Sequence, residues 1–340
     1  MYLISLFRNN STAETLLFGV FALIILAFLV LDLGIFNKKA KRILTKSALY
    51  QSIFWVLVST VFGYMIYRFD RSGPDGQGST DAMIQYFSAY LTEYALSVDN
   101  IFVILLILKY FTVKEEYYHS ILFWGILGAV VFRGIFIFVG ALLVAQFHWI
   151  LYIFGVLLIY SGIKIYFNDH DASIDPEKNP VLRLCRKYLP ITKDEMGGRF
   201  IIRVDKKLMF TPLFLVIVLI ETTDIIFAVD SIPAAFAITQ NEFLIYTSNI
   251  FAVMGLRAMF FLLAGILDKF YLLQKGLSII LFFIGAKMLL EIGEGYLPDS
   301  LTHIKPELSF SIIIVTLTLA IVFSIIVPAK KKVEEAEQKK

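Results

Sequence analysis

The sequence of 340 residues holds one cysteine, Cys185, and four histidines. A lone thiol excludes an intrachain disulfide framework and any cysteine-based metal cluster. The histidines, His119, His148, His170 and His303, fall in loops or at the ends of apolar runs, so the apolar interior has no imidazole to offer a metal. Charge is scarce too, at 17% of residues against 58% hydrophobic and 15% aromatic. That balance lies far outside soluble usage. The sequence has no Gly-rich phosphate loop, so ATP is not expected as a direct driver. Nor is a cleavable leader evident. The first apolar run, Thr15 to Val30, leads into Asp32 and a basic loop and reads as a retained span.

What the chain has in quantity is long apolar runs. Stretches of about 20 apolar residues mark membrane spans, and they fall near 15–36, 48–67, 83–109, 118–145, 149–167, 211–239, 243–267, 276–292 and 309–328. The expected fold is therefore an all-α polytopic membrane protein with nine transmembrane helices. Lys and Arg in the connections set its orientation. Lys38, Lys39, Lys41, Arg42 and Lys46 follow the first span, nine more basic residues lie in 168–210, and five lie in the tail from Lys330. With those segments cytoplasmic, 23 basic residues are inside and 4 outside (Arg8, Arg68, Arg71 and Lys305). This predicts a membrane protein with its N-terminus outside and its C-terminus in the cytoplasm. The net charge of +3 follows from that asymmetry and gives no sign of nucleic-acid binding. Within the long loop, the alternation from Arg199 to Val204, then Lys207 to Phe210, suggests a small hairpin.

An internal repeat organises the middle of the chain. Laying Asp99 over Asp230 brings Glu93 over Asp224. Further on, the run from Arg133 matches the run from Arg257, and Gly162-Ile163-Lys164 matches Gly285-Ala286-Lys287. Each copy covers three spans, an odd number, so the second copy threads the membrane from the opposite side. Inverted repeats of this kind characterise transporters, with substrate sites near the midplane where the copies meet. The expected organisation is a two-helix segment and external loop (1–82), a first three-helix repeat (83–167), a cytoplasmic loop (168–210), an inverted second repeat (211–292), and a final helix with a basic and acidic cytoplasmic tail (293–340).

The acids inside these runs need a reason, because one charge at mid-bilayer costs roughly 2.5–3.5 kcal/mol on insertion scales. Such residues commonly mark an ion path, a proton relay or a buried ion pair. Glu93 and Asn100 share a helix face, as do Asp224 and Ser231, and Glu221 neighbours Asp224. Asp99 and Asp230 would point elsewhere on an unbroken helix. Pro233 therefore suggests a break near Asp230, Ser231 and Ile232 that would free backbone carbonyls. The candidate metal ligands are Glu93, Asp99, Asn100, Glu221, Asp224 and Asp230, with Glu221 alternatively a proton carrier or a salt-bridge partner. Oxygen ligands alone suit a hard divalent ion such as Mn²⁺, Mg²⁺ or Ca²⁺, though protons or Na⁺ fit carboxylates as well. Arg133 and Arg257 sit near mid-span as partners of the acids, either holding an empty site neutral or forming fixed pairs. Lys164 and Lys287 lie toward span ends, where snorkelling accounts for Lys164.

Three stretches resemble the TerC family of integral membrane proteins: Glu93 with Asp99-Asn100-Ile-Phe-Val, the run from Asp224 to Ala234, and Asn249-Ile-Phe-Ala-Val-Met-Gly-Leu-Arg257. The likeness covers roughly residues 15–328. It implies a nine-span, two-repeat inner-membrane protein linked to manganese export, with Mn²⁺ as cargo; the carboxylates add protons as an expected counter-ion, and no tightly bound cofactor is expected. No enzymatic activity is expected. The competing classes are an intramembrane aspartyl enzyme and a membrane assembly or insertion partner whose buried charges are structural.

Overall fold

The computed structural model describes residues 12–31, 45–69, 79–147, 149–167, 179–192, 196–204, 207–263, 272–292 and 304–326. Ten α-helices carry the fold: α1 (Thr12–Leu31), α2 (Thr45–Phe69), α3 (Thr80–Tyr110), α4 (Tyr118–Gln146), α5 (Ile150–Phe167), α6 (Pro180–Tyr188), α7 (Pro212–Ile238), α8 (Glu242–Leu263), α9 (Leu273–Ile292) and α10 (Pro306–Ile326). Eight of them, all but α1 and α6, are long and apolar enough to cross a membrane, and α1 adds a shorter apolar stretch, Thr15–Val30. The apolar runs in the sequence thus reappear as helices within a few residues of their expected ends. The basic loop after α1, the loop at 70–78 expected to be external and the tail from 327 lie outside the described residues.

Local chemistry sets several helix starts. Ser79 Oγ accepts from Ala82 N at 3.1 Å and caps α3. Asn179 caps α6 by accepting from Val181 N and Leu182 N, with Pro180 next in the first turn. Pro212 opens α7, where its missing N–H has no intrahelical partner to lose. Asn241 accepts from Phe243 N and Leu244 N at the start of α8. The expected hairpin is present as β1 (Ile201–Val204) and β2 (Lys207–Phe210), antiparallel, with Ile201 opposite Phe210. Thr211 Oγ1 donates to Arg199 O at 2.7 Å and fastens the hairpin to the start of α7. Tyr117 lies against Gly198, and Lys275 Nζ sits 5.6 Å from the ring centre of Tyr166. The ends of α3 and α5 and the starts of α4, α7 and α9 therefore gather at one end of the bundle, called here the hairpin end.

Helix α8 runs through the centre and is buried along most of its length. It packs on α2, α3 and α4. Around its start, Phe21, Phe62, Tyr246 and Phe251 interlock edge to face or tilted, with centroids 5.1–5.9 Å apart. Ser59 and Tyr86 share a buried hydrogen bond of 2.8 Å beside them.

The most extensive helix interface joins α5 to α9. It is antiparallel and rests on glycines. A Cβ on Gly162 would lie 2.8 Å from Ser278 O and 2.9 Å from Phe282 N; a Cβ on Gly285 would lie 2.8 Å from Gly155 O. These neighbours are backbone atoms and cannot rotate aside, so an added methyl forces the helices apart. Gly162→Ala and Gly285→Ala are each expected to cost about 1–3 kcal/mol by overpacking. Thermal unfolding of the detergent-solubilised protein should report this as a lowered Tm.

Candidate functional site

The carboxylates expected from the sequence divide into two groups around one arginine. Arg133, at 0% exposure on α4, is the largest fully buried side chain described. Its Nε donates to Asp224 Oδ2 at 3.2 Å and its Nη2 to Asp224 Oδ1 at 2.9 Å, a two-pronged grip across α4 and α7. Its Nη1 pairs with Glu93 Oε1 on α3 and donates to Asn249 Oδ1 on α8 at 3.3 Å. Asn249 Nδ2 in turn donates to Glu93 Oε2 at 2.8 Å, and Asn100 Nδ2 donates to Asp224 Oδ1 at 3.4 Å. Four helices are tied here by one cation and two carboxylates. Isolated buried charges would be prohibitive, but paired and hydrogen-bonded ones persist.

Asp230 stands apart from this cluster. Its Oδ1 accepts from Ser161 Oγ on α5 at 2.7 Å. A cavity of about 600 Å³ connects the two groups: Glu93, Asn100 and Arg133 line it together with Asp230, Ser231 and Ser161. From there it reaches Leu106, Lys164 and Gln274 at the hairpin end. Ser231 is 2% exposed, lines this cavity, and its hydroxyl has no hydrogen-bond partner. A second, much smaller void of about 20 Å³ lies against Asp224, Thr223 and Asn100 on the α4 side. Asn100 lines both.

The expected break in α7 does not occur. The helix is continuous from Pro212 to Ile238 with Pro233 inside it, and α3 is continuous as well. Proline removes one donor, yet spanning helices tolerate it when neighbouring elements hold the backbone, and residues 231–237 are all buried. Among the described residues, no break in α3 or α7 frees a run of carbonyls for a cage. Continuity also accounts for the splay: a six-residue offset turns Asp230 toward α5 while Asp224 meets Arg133.

The remaining candidates are distributed as follows. The side chain of Asp99 lies outside the described residues, although its backbone belongs to α3. Both carboxyl oxygens of Glu221 are buried without a partner, seated where a Cβ on Gly128 would be, 2.1 Å from Oε1; the site brings it into neither cavity. Lys164 lines the large cavity from an exposed position, its Nζ 6.0 Å from the Tyr160 ring centre. Arg257 on α8 is half-buried and Lys287 on α9 is buried, and neither lines the cavity. Among the described residues no three His, Cys, Asp or Glu side chains converge to hold a metal. The sequence does not single out Ser161, and it shows Ser231 on the face of Asp224 and Asn249 in the apolar interior without marking either as a ligand. Asn249 carried a signal, as a lone amide deep in an apolar run; a serine in such a run carries almost none.

The profile of the Integral membrane protein TerC family matches residues 78–332. This chain belongs to the TerC family. An uncharacterized membrane protein of Rickettsia bellii is 42% identical over 269 residues, which cover 79% of this chain and 86% of the relative. A "putative membrane-bound redox modulator Alx" of Photorhabdus laumondii is 42% identical over 282 residues, covering 83% and 88%. The protein of the same name from Escherichia coli is 41% identical over 287 residues, covering 83% and 88%. None of these names points to an enzymatic activity. No solved structure matches the chain. The TerC profile spans every helix described from α3 to α10, so the cavity and its charges lie wholly within the family region.

Proposed function

We propose that this TerC protein is a secondary carrier that exports a hard divalent cation, Mn²⁺ first among them, in exchange for protons. The observation that carries the reading is the large cavity, where carboxylates from α3 and α7 and the unpartnered hydroxyl of Ser231 face one space. Glu93 and Asp230 would neutralise the ion. Asn100, whose Nδ2 is turned to Asp224, has its Oδ1 left for the cargo, and Ser161 and Ser231 add neutral oxygens. Such a set favours Mn²⁺, Mg²⁺ or Ca²⁺ over softer metals; among these the resemblance to the TerC family favours manganese. Arg133 acts as a tethered cation. It holds Glu93 while the site is empty, then yields that carboxylate to the arriving ion and keeps its grip on Asp224. Glu221 is the candidate proton carrier.

Nine spans, from the apolar runs, an inner membrane, from the resemblance, and an N-terminus outside, from the Lys and Arg distribution, are part of the proposal. The hairpin end is then cytoplasmic, and the cavity admits the ion from the cytoplasm. Inverted repeats over 83–167 and 211–292 are supported by the α5–α9 contact. Overlaying Gly162 on Gly285 converts the Gly155–Gly285 contact into Ser278–Gly162, and both contacts are present. A twofold axis between the copies would produce that exchange.

The closed pairing of Arg133 also favours a second reading, a membrane assembly partner with purely structural charges. Purified protein in liposomes, tested with Mn²⁺, Mg²⁺, Ca²⁺ and Zn²⁺ and with or without a pH gradient, separates the two. Mn²⁺ flux accelerated by the gradient is expected from the carrier. Folded protein without flux of any ion would leave the assembly role.

A further inference from the structure

Helix α6 is too short and too charged to span a membrane, yet it exposes apolar side chains. At 100° per residue, Val181, Leu184 and Tyr188 form one stripe, exposed by 37%, 57% and 67%. Arg183, Arg186 and Lys187 occupy the other side, and the helix holds no acidic residue. Leu182 lies between the two stripes at 1% exposure, and α6 packs on α7. The chain leaving α6 is bound to the hairpin: Phe210 N donates to Pro190 O at 2.9 Å and Thr192 N to Phe210 O at 2.8 Å. The helix is thus clamped by one edge to the start of a spanning helix, with half of its apolar face left uncovered.

We infer that α6 lies in the headgroup layer of an anionic bilayer, at the hairpin end of the bundle. Its apolar stripe enters the boundary with the acyl chains, and its three basic side chains meet lipid phosphates. Three features select this occupant. The helix has the division into a cationic and an apolar face that interfacial helices share. It packs on α7, so the surface nearest to it is the bilayer that α7 crosses. Its charge complements an anionic leaflet, which attracts Lys and Arg side chains near its surface. Lys187 Nζ, 5.3 Å from the Tyr188 ring centre, sits where an aromatic ring and a phosphate-seeking amine would both occupy the interface. Through Leu182 and the hairpin, the anchor would fix the height of α7, the helix that carries Asp224 and Asp230. The inference does not depend on which cargo the protein moves.

The full-length protein tests it by site-directed fluorescence. In a Cys185→Ser background, Leu184→Cys and, separately, Arg183→Cys carry an environment-sensitive label in phosphatidylglycerol-rich or pure phosphatidylcholine liposomes. The label at 184 is expected to be quenched by doxyl lipid and shielded from aqueous iodide, while the label at 183 stays open to iodide. Changing Arg183, Arg186 and Lys187 to Glu should expose the label at 184 to iodide in the anionic liposomes. Equal iodide quenching at both positions overturns the inference. So does a label at 184 shielded from iodide and from lipid quencher alike, which would mean a protein partner or a second copy on this face. An unchanged signal in the triple Glu variant, or in pure phosphatidylcholine, overturns the anionic headgroup as the partner.

Discussion

Replacing Arg133 with methionine is expected to destabilise the bundle by about 3–5 kcal/mol, the loss typical when one partner of a buried ion pair is removed. The side chain is wholly buried and holds Glu93, Asp224 and Asn249 at once. Its loss leaves two carboxylates facing each other with only amide donors for support. Lysine at this position should recover part of the loss, because an ammonium supplies charge without the planar fork that grips Asp224. The triple change Arg133→Met, Glu93→Gln and Asp224→Asn should recover most of it, since removing all the charges together removes the imbalance. Thermal unfolding in detergent reads each step. If the single and triple variants were equally unstable, the arginine's packing would matter more than its charge.

The second large effect is functional and leaves the fold alone. Asp230→Asn is expected to lower Mn²⁺ affinity and flux by at least about 10–100-fold, the range in which even outer-sphere partners of bound metals act. Stability should change by no more than about 1 kcal/mol, the net worth of an ordinary hydrogen bond, because the asparagine oxygen can still accept from Ser161. Asp230 is the clean probe because it lies outside the Arg133 pairing. Glu93→Gln also breaks an ion pair, so it should lose both flux and stability. A variant that loses flux while holding its Tm separates an ion-binding carboxylate from a structural one.

The sequence made the helices legible because membrane spans are long, apolar and sharply bounded by Lys, Arg and Gly. The acids were legible for a related reason: in an apolar run each one is costly and stands out. Arg133 as their partner could be anticipated from its mid-span position, although not its choice of Glu93 and Asp224 over other acids. That choice depends on how α3, α4, α7 and α8 cross, which no local pattern encodes. Pro233 misled because its local preference for a break was overridden by packing around residues 231–237. Ser161 escaped, and Ser231 was placed on the face of Asp224 but not counted as a ligand, because a hydroxyl costs little in a helix and becomes part of a site only through tertiary placement. Helix α6 was hidden within a loop whose net composition is unremarkable, and its two faces separate only once it is wound as a helix.

Titrating Mn²⁺ into purified protein, followed by the electron paramagnetic resonance signal of the free ion, tests the cavity most directly. The wild type should deplete free Mn²⁺ up to about one ion per chain, as one site built on Glu93 and Asp230 requires, and Asp230→Asn should leave the ion free over the same range. Equal depletion by both proteins, or none by a folded wild type, would contradict a cation site built on Glu93 and Asp230.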